Sequence, residues 1–196
     1  QIDVHVHSPG VGGGRCAPAD GRMVRNAQTG GPDALLKGLA PVIDVTTRVL
    51  VLGSFPGVRS LQLQQYYGHP QNHFWRILGT LWNEPLLQLD YADRCQSALA
   101  HGLGIWDVYA HCEREGSLDS AIRNAVVNDF AALQRHCPQL EAIVHNGGES
   151  WRHHRHTQAL GLPVYKLPST SPANASWSFE RKLQAWREVL QAHGVA

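Results

Sequence analysis

The segment GSFPGVRSLQLQQYYGHPQNHFW spans residues 53–75 and follows a short apolar run, RVLVL, at residues 48–52. The run predicts a buried strand of a parallel sheet, because such strands are covered on both faces and lack polar alternation. The segment after it combines glycine, proline, tyrosine, histidine, asparagine, phenylalanine and tryptophan without a repeat. In an open α/β sheet, ligands bind at the loops that follow the carboxyl ends of the strands. We therefore expect this loop to form part of a binding site.

Strand and helix patterns alternate along the rest of the chain. Short apolar runs predict further strands at residues 103–108, 141–145 and 163–167. Apolar residues at helical spacing predict helices at residues 72–82, 120–135 and 178–191, the last two with Asp119 and Ser178 as N-caps. The alternation predicts an α/β fold in three layers, α/β/α, around a central parallel four-stranded sheet.

The amino-terminal part of the chain differs in composition from the remainder. Residues 1–32 are rich in glycine, proline and small polar residues, and we expect a disordered or non-native extension there, with residues 33–196 forming a single domain. The only methionine is Met23, which suggests a native start near that residue. His5 and His7 form a weak metal signal, because no partner ligands can be assigned to them.

The composition excludes several classes of protein. No run of about 18 apolar residues is present, so no membrane span is expected. The four cysteines are widely spaced without a CxxC pair, which argues against a metal or iron–sulfur site and fits a reducing cytoplasm. The net charge is only +1, but 14 of the 17 basic residues are arginine, which suits phosphate contacts. We expect a cytoplasmic monomer, nucleoid-associated in a prokaryote, without cofactor or metal.

Unusual residues follow each of the four predicted strands. GSFPG follows the first, Trp106 and Asp107 end the second, Asn146 ends the third, and residues 169–174 follow the fourth. The chain has no GxGxxG, Walker or GxSxG motif, so it lacks the usual cradle for dinucleotides or NTPs and the usual acyl-transfer serine. Rings, amides and hydroxyls can hold a flat polar heterocycle and its phosphates.

The order of the motifs, GSFPG, YYGHPQNHFW, GIWDV, HNGG and LPSTSPANA, resembles the uracil-DNA glycosylase superfamily between about residues 42 and 190. It is most similar to the hypoxanthine-DNA (deoxyinosine) glycosylase branch, family 6. The resemblance implies a DNA repair hydrolase that cleaves the N-glycosidic bond of a deaminated base, hypoxanthine first, in DNA. A uracil-DNA glycosylase of the same fold and a non-catalytic damaged-DNA binding module are the alternatives.

The resemblance also implies roles for residues in the first loop. Phe55 stands where relatives carry the asparagine that positions the attacking water, so Asn72 is the expected catalytic residue. Asn72 also precedes a predicted helix, and an N-cap role is the structural alternative. Tyr67 is expected to stack on the flipped base, with Tyr66 as the second choice and packing as the structural alternative for both. The backbone N–H groups around Phe55 are expected to bind the base edge.

The two middle motifs imply a base-binding role for Asp107 and Asn146. Relatives often carry an asparagine at the end of the second strand, and here Trp106 and Asp107 stand there. Asp107 could accept a hydrogen bond from N1–H of hypoxanthine, stabilise positive charge on the sugar, or cap the following turn. Asn146 lies at the end of the third strand, where a structural role is the alternative.

The last motif implies contacts to DNA from Ser169, Ser171 and Asn174. Ser169 replaces the histidine that steadies the leaving base in relatives, and Ser171 keeps a hydroxyl suited to a phosphate. Ala173 stands where relatives carry a larger apolar wedge, which leaves the means of duplex penetration open. An ordinary Ser/Pro turn is the structural alternative.

Overall fold

The computed structural model describes residues 34–196, and these residues form two sheets with seven α-helices. The strands are β1 Leu35–Lys37, β2 Val49–Gly53, β3 Leu103–Asp107, β4 Tyr109–Glu113, β5 Arg123–Val127, β6 Ala142–Asn146 and β7 Val164–Leu167. The helices are α1 Val58–Leu63, α2 Phe74–Trp82, α3 Tyr91–Ala100, α4 Leu133–His136, α5 Gly148–Trp151, α6 His154–Gln158 and α7 Phe179–Ala192. Two 3₁₀ turns are Leu86–Gln88 and Asp119–Ala121.

The central sheet is parallel and has four strands in the order β3-β2-β6-β7. These are the four strands that the apolar runs predict, and the predicted α/β class with its parallel sheet is confirmed. In β2, Val49 pairs with Leu103 on one side and Ala142 on the other. All four carboxyl ends therefore lie along one edge of the sheet, as expected for parallel strands.

Each face of the central sheet has its own apolar core. Val49 and Val51 face one core, where α2, α3 and α7 contribute side chains such as Trp75 and Trp186. Leu50 and Leu52 face the other, which includes residues of β4, α4 and the loops around them. Because successive side chains of a strand point to opposite faces, a strand buried on both faces must be apolar throughout. This requirement explains why β2 was recognisable from its sequence.

The predicted helix over residues 120–135 is wrong. The segment contains instead a 3₁₀ turn at Asp119–Ala121, strand β5 and the short helix α4. Strand β5 pairs antiparallel with β4, which also pairs with β1, so a second sheet has the order β1-β4-β5. An exposed edge of β4 needs a hydrogen-bonding partner, and the valine-rich RNAVV segment supplies it. Helical spacing of four apolar residues could not reveal this pairing.

The helices α2 and α7 agree with the other two helix predictions. Ser178 is the N-cap of α7, and its Oγ accepts a hydrogen bond from the backbone N–H of Arg181 at 3.2 Å. Asp119 caps no helix, because it lies inside the 3₁₀ turn. The expected extension at residues 1–32, with His5, His7 and Met23, lies outside the described residues. No helix within residues 34–196 is long and apolar enough to cross a membrane.

A buried polar network links β6 to β2 and the helices that follow β6. The ring nitrogens of His145 lie 2.8 Å from Ser150 Oγ and 2.8 Å from Thr157 Oγ1. Ser150 Oγ in turn donates to the carbonyl oxygen of Leu52 at 2.8 Å. His145 is fully buried, and burial lowers its pKa from 6.5 to about 4. The folded protein thus holds this imidazole in its neutral form.

The neutral state of His145 makes the fold sensitive to acid. The unfolded chain binds a proton below pH 6.5 and the folded chain only near pH 4, so stability is lost as the pH falls through this window. Lowering the pH from 7.5 to 5 is expected to cost about 2 kcal/mol more in wild type than in His145→Gln. Denaturant titrations at both pH values measure the difference. The exposed His136→Gln should behave as wild type, and an equal loss in the His145 variant would contradict this assignment.

Candidate functional site

The carboxyl ends of the four parallel strands surround a cavity of about 860 Å³. Gly53, Asp107, Asn146 and Leu167 contribute one wall residue from each strand. The cavity is also lined by the other residues that the sequence singled out, namely Phe55, Tyr67, Asn72, Ser169, Ser171 and Asn174. The residues that follow the four parallel strands therefore meet at one edge of the sheet.

The loop from residue 53 to residue 75 is fixed by side-chain hydrogen bonds to its backbone. The indole N–H of Trp75 donates to the carbonyl oxygen of Tyr66 at 3.0 Å, and the Tyr66 N–H donates to Tyr91 Oη at 3.1 Å. The Gly68 N–H donates to Ser60 Oγ at 3.0 Å. Between these anchors Tyr67 has a φ of +54°, which is unusual for a bulky residue. The surrounding bonds hold Tyr67 in this costly conformation, a situation common at functional sites.

The ring of Tyr67 is half-buried at the cavity wall. It stacks on Phe74 with ring centroids 4.0 Å apart, so Phe74 supports one side of it. Its hydroxyl lies 3.2 Å from Nδ2 of Asn146. Tyr66, the alternative base-stacking residue, is buried, and its hydroxyl donates to the carbonyl oxygens of Leu39 and Ala40. The geometry therefore gives Tyr66 a packing role and leaves Tyr67 beside the cavity.

Asn72 lies at the cavity wall just before α2. Its Oδ1 accepts a hydrogen bond from the backbone N–H of Phe74 at 2.9 Å, which fixes the orientation of the carboxamide. The N-cap position itself belongs to His73, whose N–H donates to the carbonyl oxygen of Thr170 at 2.9 Å. The structural alternative is thus partly realised, since Asn72 caps the first helical N–H. Its oxygen keeps a second lone pair that can accept a further hydrogen bond.

Asp107 is the buried carboxyl group of the cavity. It is 4% exposed, and its Oδ2 has no hydrogen-bond partner among residues 34–196. Its side chain does not cap the following turn; the backbone carbonyl accepts from Nδ2 of Asn128 at 2.9 Å. A Cβ at Gly53 would lie 2.4 Å from Asp107 Oδ1 and 3.1 Å from Tyr67 Oη. Glycine at position 53 is therefore required by the close approach of the carboxyl group.

Burial raises the pKa of Asp107 to about 7, with the negative charge of Asp119 adding to the effect and the Arg114 guanidinium opposing it. The folded value lies above the ordinary value of 3.8, so ionisation of Asp107 lowers stability, and this cost is complete above pH 7. A carboxyl group whose pKa is raised towards neutral pH, at a cost in stability, is a common feature of binding and catalytic sites.

The side chain of Phe55 packs in the apolar core, although the residue also lines the cavity. The ring is 6% exposed, and the guanidinium carbon of Arg114 lies 5.3 Å from its centroid. Arg114 donates to the carbonyl oxygens of Pro56 and Gly116, which fixes the backbone after Phe55. The backbone N–H of Phe55 forms no hydrogen bond within the described part of the chain. Because Phe55 lines the cavity, this N–H can donate to a bound ligand.

Asn146 joins three segments of the site. Its Nδ2 donates to Tyr67 Oη and to Thr170 Oγ1, at 3.2 and 3.0 Å, and its Oδ1 accepts from the Thr170 N–H at 3.0 Å. The carboxamide is fully engaged with protein groups, which agrees with the structural alternative for Asn146. Gly147 follows with a φ of +93°, and a Cβ there would lie 2.9 Å from Ser169 Cβ. This glycine lets the loop after β7 approach β6.

The residues of the last motif form consecutive turns. Ser169 Oγ accepts from the Ser171 N–H at 3.2 Å, and Ser171 Oγ accepts from the Ala173 N–H at 3.2 Å. Asn174 Nδ2 donates to the carbonyl oxygen of Ser169 at 3.1 Å. Both serine hydroxyls therefore keep their own protons for donation to an acceptor such as a phosphate. Ala173 is exposed at the tip of the loop.

Sequence reasoning assigned no role in the site to three residues that shape the cavity, namely Arg114, Thr170 and Asp119. Arg114 fixes the backbone after Phe55, and Thr170 binds Asn146. The Oδ1 of Asp119 accepts from Ser54 Oγ at 2.7 Å and so ties the 3₁₀ turn to the first loop. No local sequence signal identifies these contacts, because each joins segments at least 24 positions apart. No cluster of His, Cys, Asp or Glu side chains suited to a metal ion occurs from residue 34 onward.

Comparison with known proteins places this geometry in a family. The model of the family described as "Uracil DNA glycosylase superfamily" matches residues 40–191. Proteins named "Hypoxanthine DNA glycosylase" from Methanosarcina barkeri and Methanosarcina acetivorans are each 36% identical over 155 residues, which cover 79% of this chain and 98% of theirs.

A solved structure shows the same fold. It is a solution NMR structure of a protein from Methanosarcina acetivorans that is described as a candidate uracil DNA glycosylase. The TM-score is 0.74 at 34% identity, and the match covers 81% of this chain and 98% of that one. The matched region contains the strand ends and every side chain that lines the cavity. The chain therefore belongs to the uracil DNA glycosylase superfamily.

Proposed function

We propose that this protein is a monofunctional DNA glycosylase that releases hypoxanthine from deoxyinosine in DNA. Family membership and the names of the relatives support this proposal. The observation that carries it is the juxtaposition, in one cavity, of the Tyr67 ring, the Asn72 carboxamide and the buried carboxyl group of Asp107. The enzyme would act as a monomer on DNA that contains a deaminated base.

The cavity suits a nucleotide that has been flipped out of the helix. Extrusion costs a few kcal/mol, and stacking of the base on an aromatic ring repays part of it. Tyr67 is pre-positioned for this role by Phe74 behind it and by the anchors on its backbone. The hydroxyls of Ser169 and Ser171 can then donate to the phosphates next to the flipped nucleotide.

Asp107 offers a means of distinguishing hypoxanthine from adenine. Hypoxanthine carries an N1–H donor beside its C6 carbonyl, whereas N1 of adenine is an acceptor. The unpartnered Oδ2 of Asp107, when ionised, can accept from N1–H but would face the lone pair of adenine N1. A buried group left without its partner disfavours the wrong ligand strongly.

Bond cleavage places positive charge on the sugar and negative charge on the departing base. Asn72 Oδ1, already oriented by the Phe74 N–H, can accept from the water that attacks C1′. The backbone N–H of Phe55, which has no partner among the described residues, can donate to the departing base, as an oxyanion-type stabiliser does. The water supplies the hydroxyl group on C1′, and the base leaves with a proton.

The substrate is tested with a panel of oligonucleotides that contain inosine, uracil, xanthine or only normal bases. Release of free base is measured for single strands and duplexes under single-turnover conditions. Fastest release from the inosine substrate is expected. Preferred release of uracil would favour a uracil-DNA glycosylase, and binding without release of any base would favour a damaged-DNA binding module.

Replacement of Asn72 should abolish most of the catalysis. Asn72→Ala is expected to slow base release from inosine DNA by on the order of 100-fold or more, as loss of a catalytic hydrogen-bonding group does. Asn72→Ser retains a side-chain acceptor for the Phe74 N–H and should be equally impaired. The neighbouring exposed Gln71→Ala serves as the control. Recovery of normal rates in the serine variant would reduce Asn72 to a capping residue.

Asp107 should give base release a dependence on pH. Since its pKa is about 7, the ionised acceptor is lost as the pH falls from 8 to 6, and the single-turnover rate on inosine DNA should fall about tenfold. Asp107→Asn keeps an acceptor oxygen without a charge, so its rate should stay within about tenfold of wild type and vary little over this range. A much larger loss, of about a thousandfold, would instead assign Asp107 to stabilisation of charge on the sugar.

A further inference from the structure

A second groove opens beside the base cavity and is not used by the proposed chemistry. It has a volume of about 600 Å³ and lies between the start of α2 and the start of α7. Four residues line both the cavity and the groove: Asn72, Pro172, Asn174 and Trp177. The groove is therefore continuous with the mouth of the cavity, on the side of the expected catalytic residue.

The groove is lined by cations that have no carboxylate partner. Arg76 and Lys182 line it, and neither forms an ion pair with any residue in the 34–196 range. Lys182 is only 1% exposed; its Nζ lies 3.3 Å from the carbonyl oxygen of Ser171 and 3.5 Å from Nδ1 of His73. An ammonium group without a counter-ion is costly to bury, so a ligand that supplies negative charge would relieve this cost.

Other charged groups near the groove leave it electropositive. Burial, Lys182 and Arg76 lower the pKa of His73, while Glu180 opposes this shift. Glu180 itself forms no ion pair with a described residue. The amino-terminal ends of α2 and α7 also line the groove, and these helix ends carry partial positive charge. Among the described residues, Glu180 is thus outweighed by the full charges of Arg76 and Lys182 and by the two helix ends.

Two aromatic rings of the groove, Phe179 and Trp177, each hold a guanidinium group in place. The guanidinium carbon of Arg76 lies 3.8 Å from the ring centroid of Phe179, and that of Arg181 lies 4.2 Å from the ring of Trp177. Stacking limits the freedom of these side chains, so less entropy is lost when they bind an anion. Arginine held in this way suits the phosphodiester of a nucleic acid.

We propose that this groove binds the DNA backbone next to the flipped nucleotide, with the exposed Arg76 contacting one flanking phosphate and the buried ammonium of Lys182 adding its positive charge behind it. The inference rests on the proposed function, because it assumes that the cavity holds a flipped nucleotide. A nucleotide inside the cavity leaves its two phosphates at the mouth, and the groove begins there. The strand would then pass between Pro172 and α2 and follow the cationic wall.

The test pairs an arginine variant with neutral phosphates in the DNA. Affinity for inosine oligonucleotides is measured for wild type and Arg76→Gln while each flanking phosphate in turn is replaced by an uncharged methylphosphonate. Arg76→Gln should weaken binding roughly tenfold at low salt and reduce the slope of log K against log salt by about one. At one phosphate position the methylphosphonate should weaken wild type but add nothing to the loss in Arg76→Gln.

Two further variants complete the experiment. Arg135→Gln removes an exposed arginine that does not line the groove, and it should match wild type in affinity and slope. Lys182→Met keeps the apolar stem and should show non-additivity at the same phosphate as Arg76→Gln. Additive losses at every position, or an unchanged salt slope, would overturn the proposal. Binding is measured separately from base release. If the expected non-additivity appears at one phosphate but the wild-type protein releases no base, only the proposed function is refuted.

Discussion

The central strand β2 is the element from which the site is positioned. It is hydrogen-bonded to β3 and β6 on its two edges and buried on both faces, so the position of Gly53 at its end is fixed from four directions. The ends of β3 and β6 place Asp107 and Asn146 on either side of Gly53. Polar groups can remain poorly satisfied at this edge because the apolar strands beneath supply the stability.

The loop after β2 converts this fixed edge into a pocket. Three hydrogen bonds hold its backbone: the Trp75 indole N–H donates to the Tyr66 carbonyl oxygen, the Tyr66 N–H donates to Tyr91 Oη, and the His73 N–H donates to the Thr170 carbonyl oxygen. The Tyr67 ring and the Asn72 carboxamide are therefore oriented before any ligand arrives. Preorganisation of this kind reduces the reorganisation needed during catalysis. It also links the first loop to the last motif, so both sides of the pocket share one framework.

The sequence was informative wherever burial imposed a simple pattern. The four parallel strands were predictable because both faces are covered, and α7 was predictable from its cap at Ser178 and its apolar stripe. The region around β5 was not, because its structure depends on pairing with β4 rather than on its own periodicity. The convergence of the site residues followed from the parallel topology. The environment of each site residue could not be predicted in this way, because the burial of Asp107 and the hydrogen bonds of Asn146 depend on tertiary contacts.

Gly53 and Asp107 lie so close together that the size of the residue at one position limits the size allowed at the other. A methyl group at position 53 would lie 2.4 Å from the carboxylate, so the two side chains cannot both be present in this geometry. A descendant of this chain that gains a side chain at 53 would also need a shorter residue at 107. Position 107 can become smaller while Gly53 is kept, but position 53 can gain a side chain only once the residue at 107 is smaller, so base preference can change through position 107 first and through position 53 only afterwards.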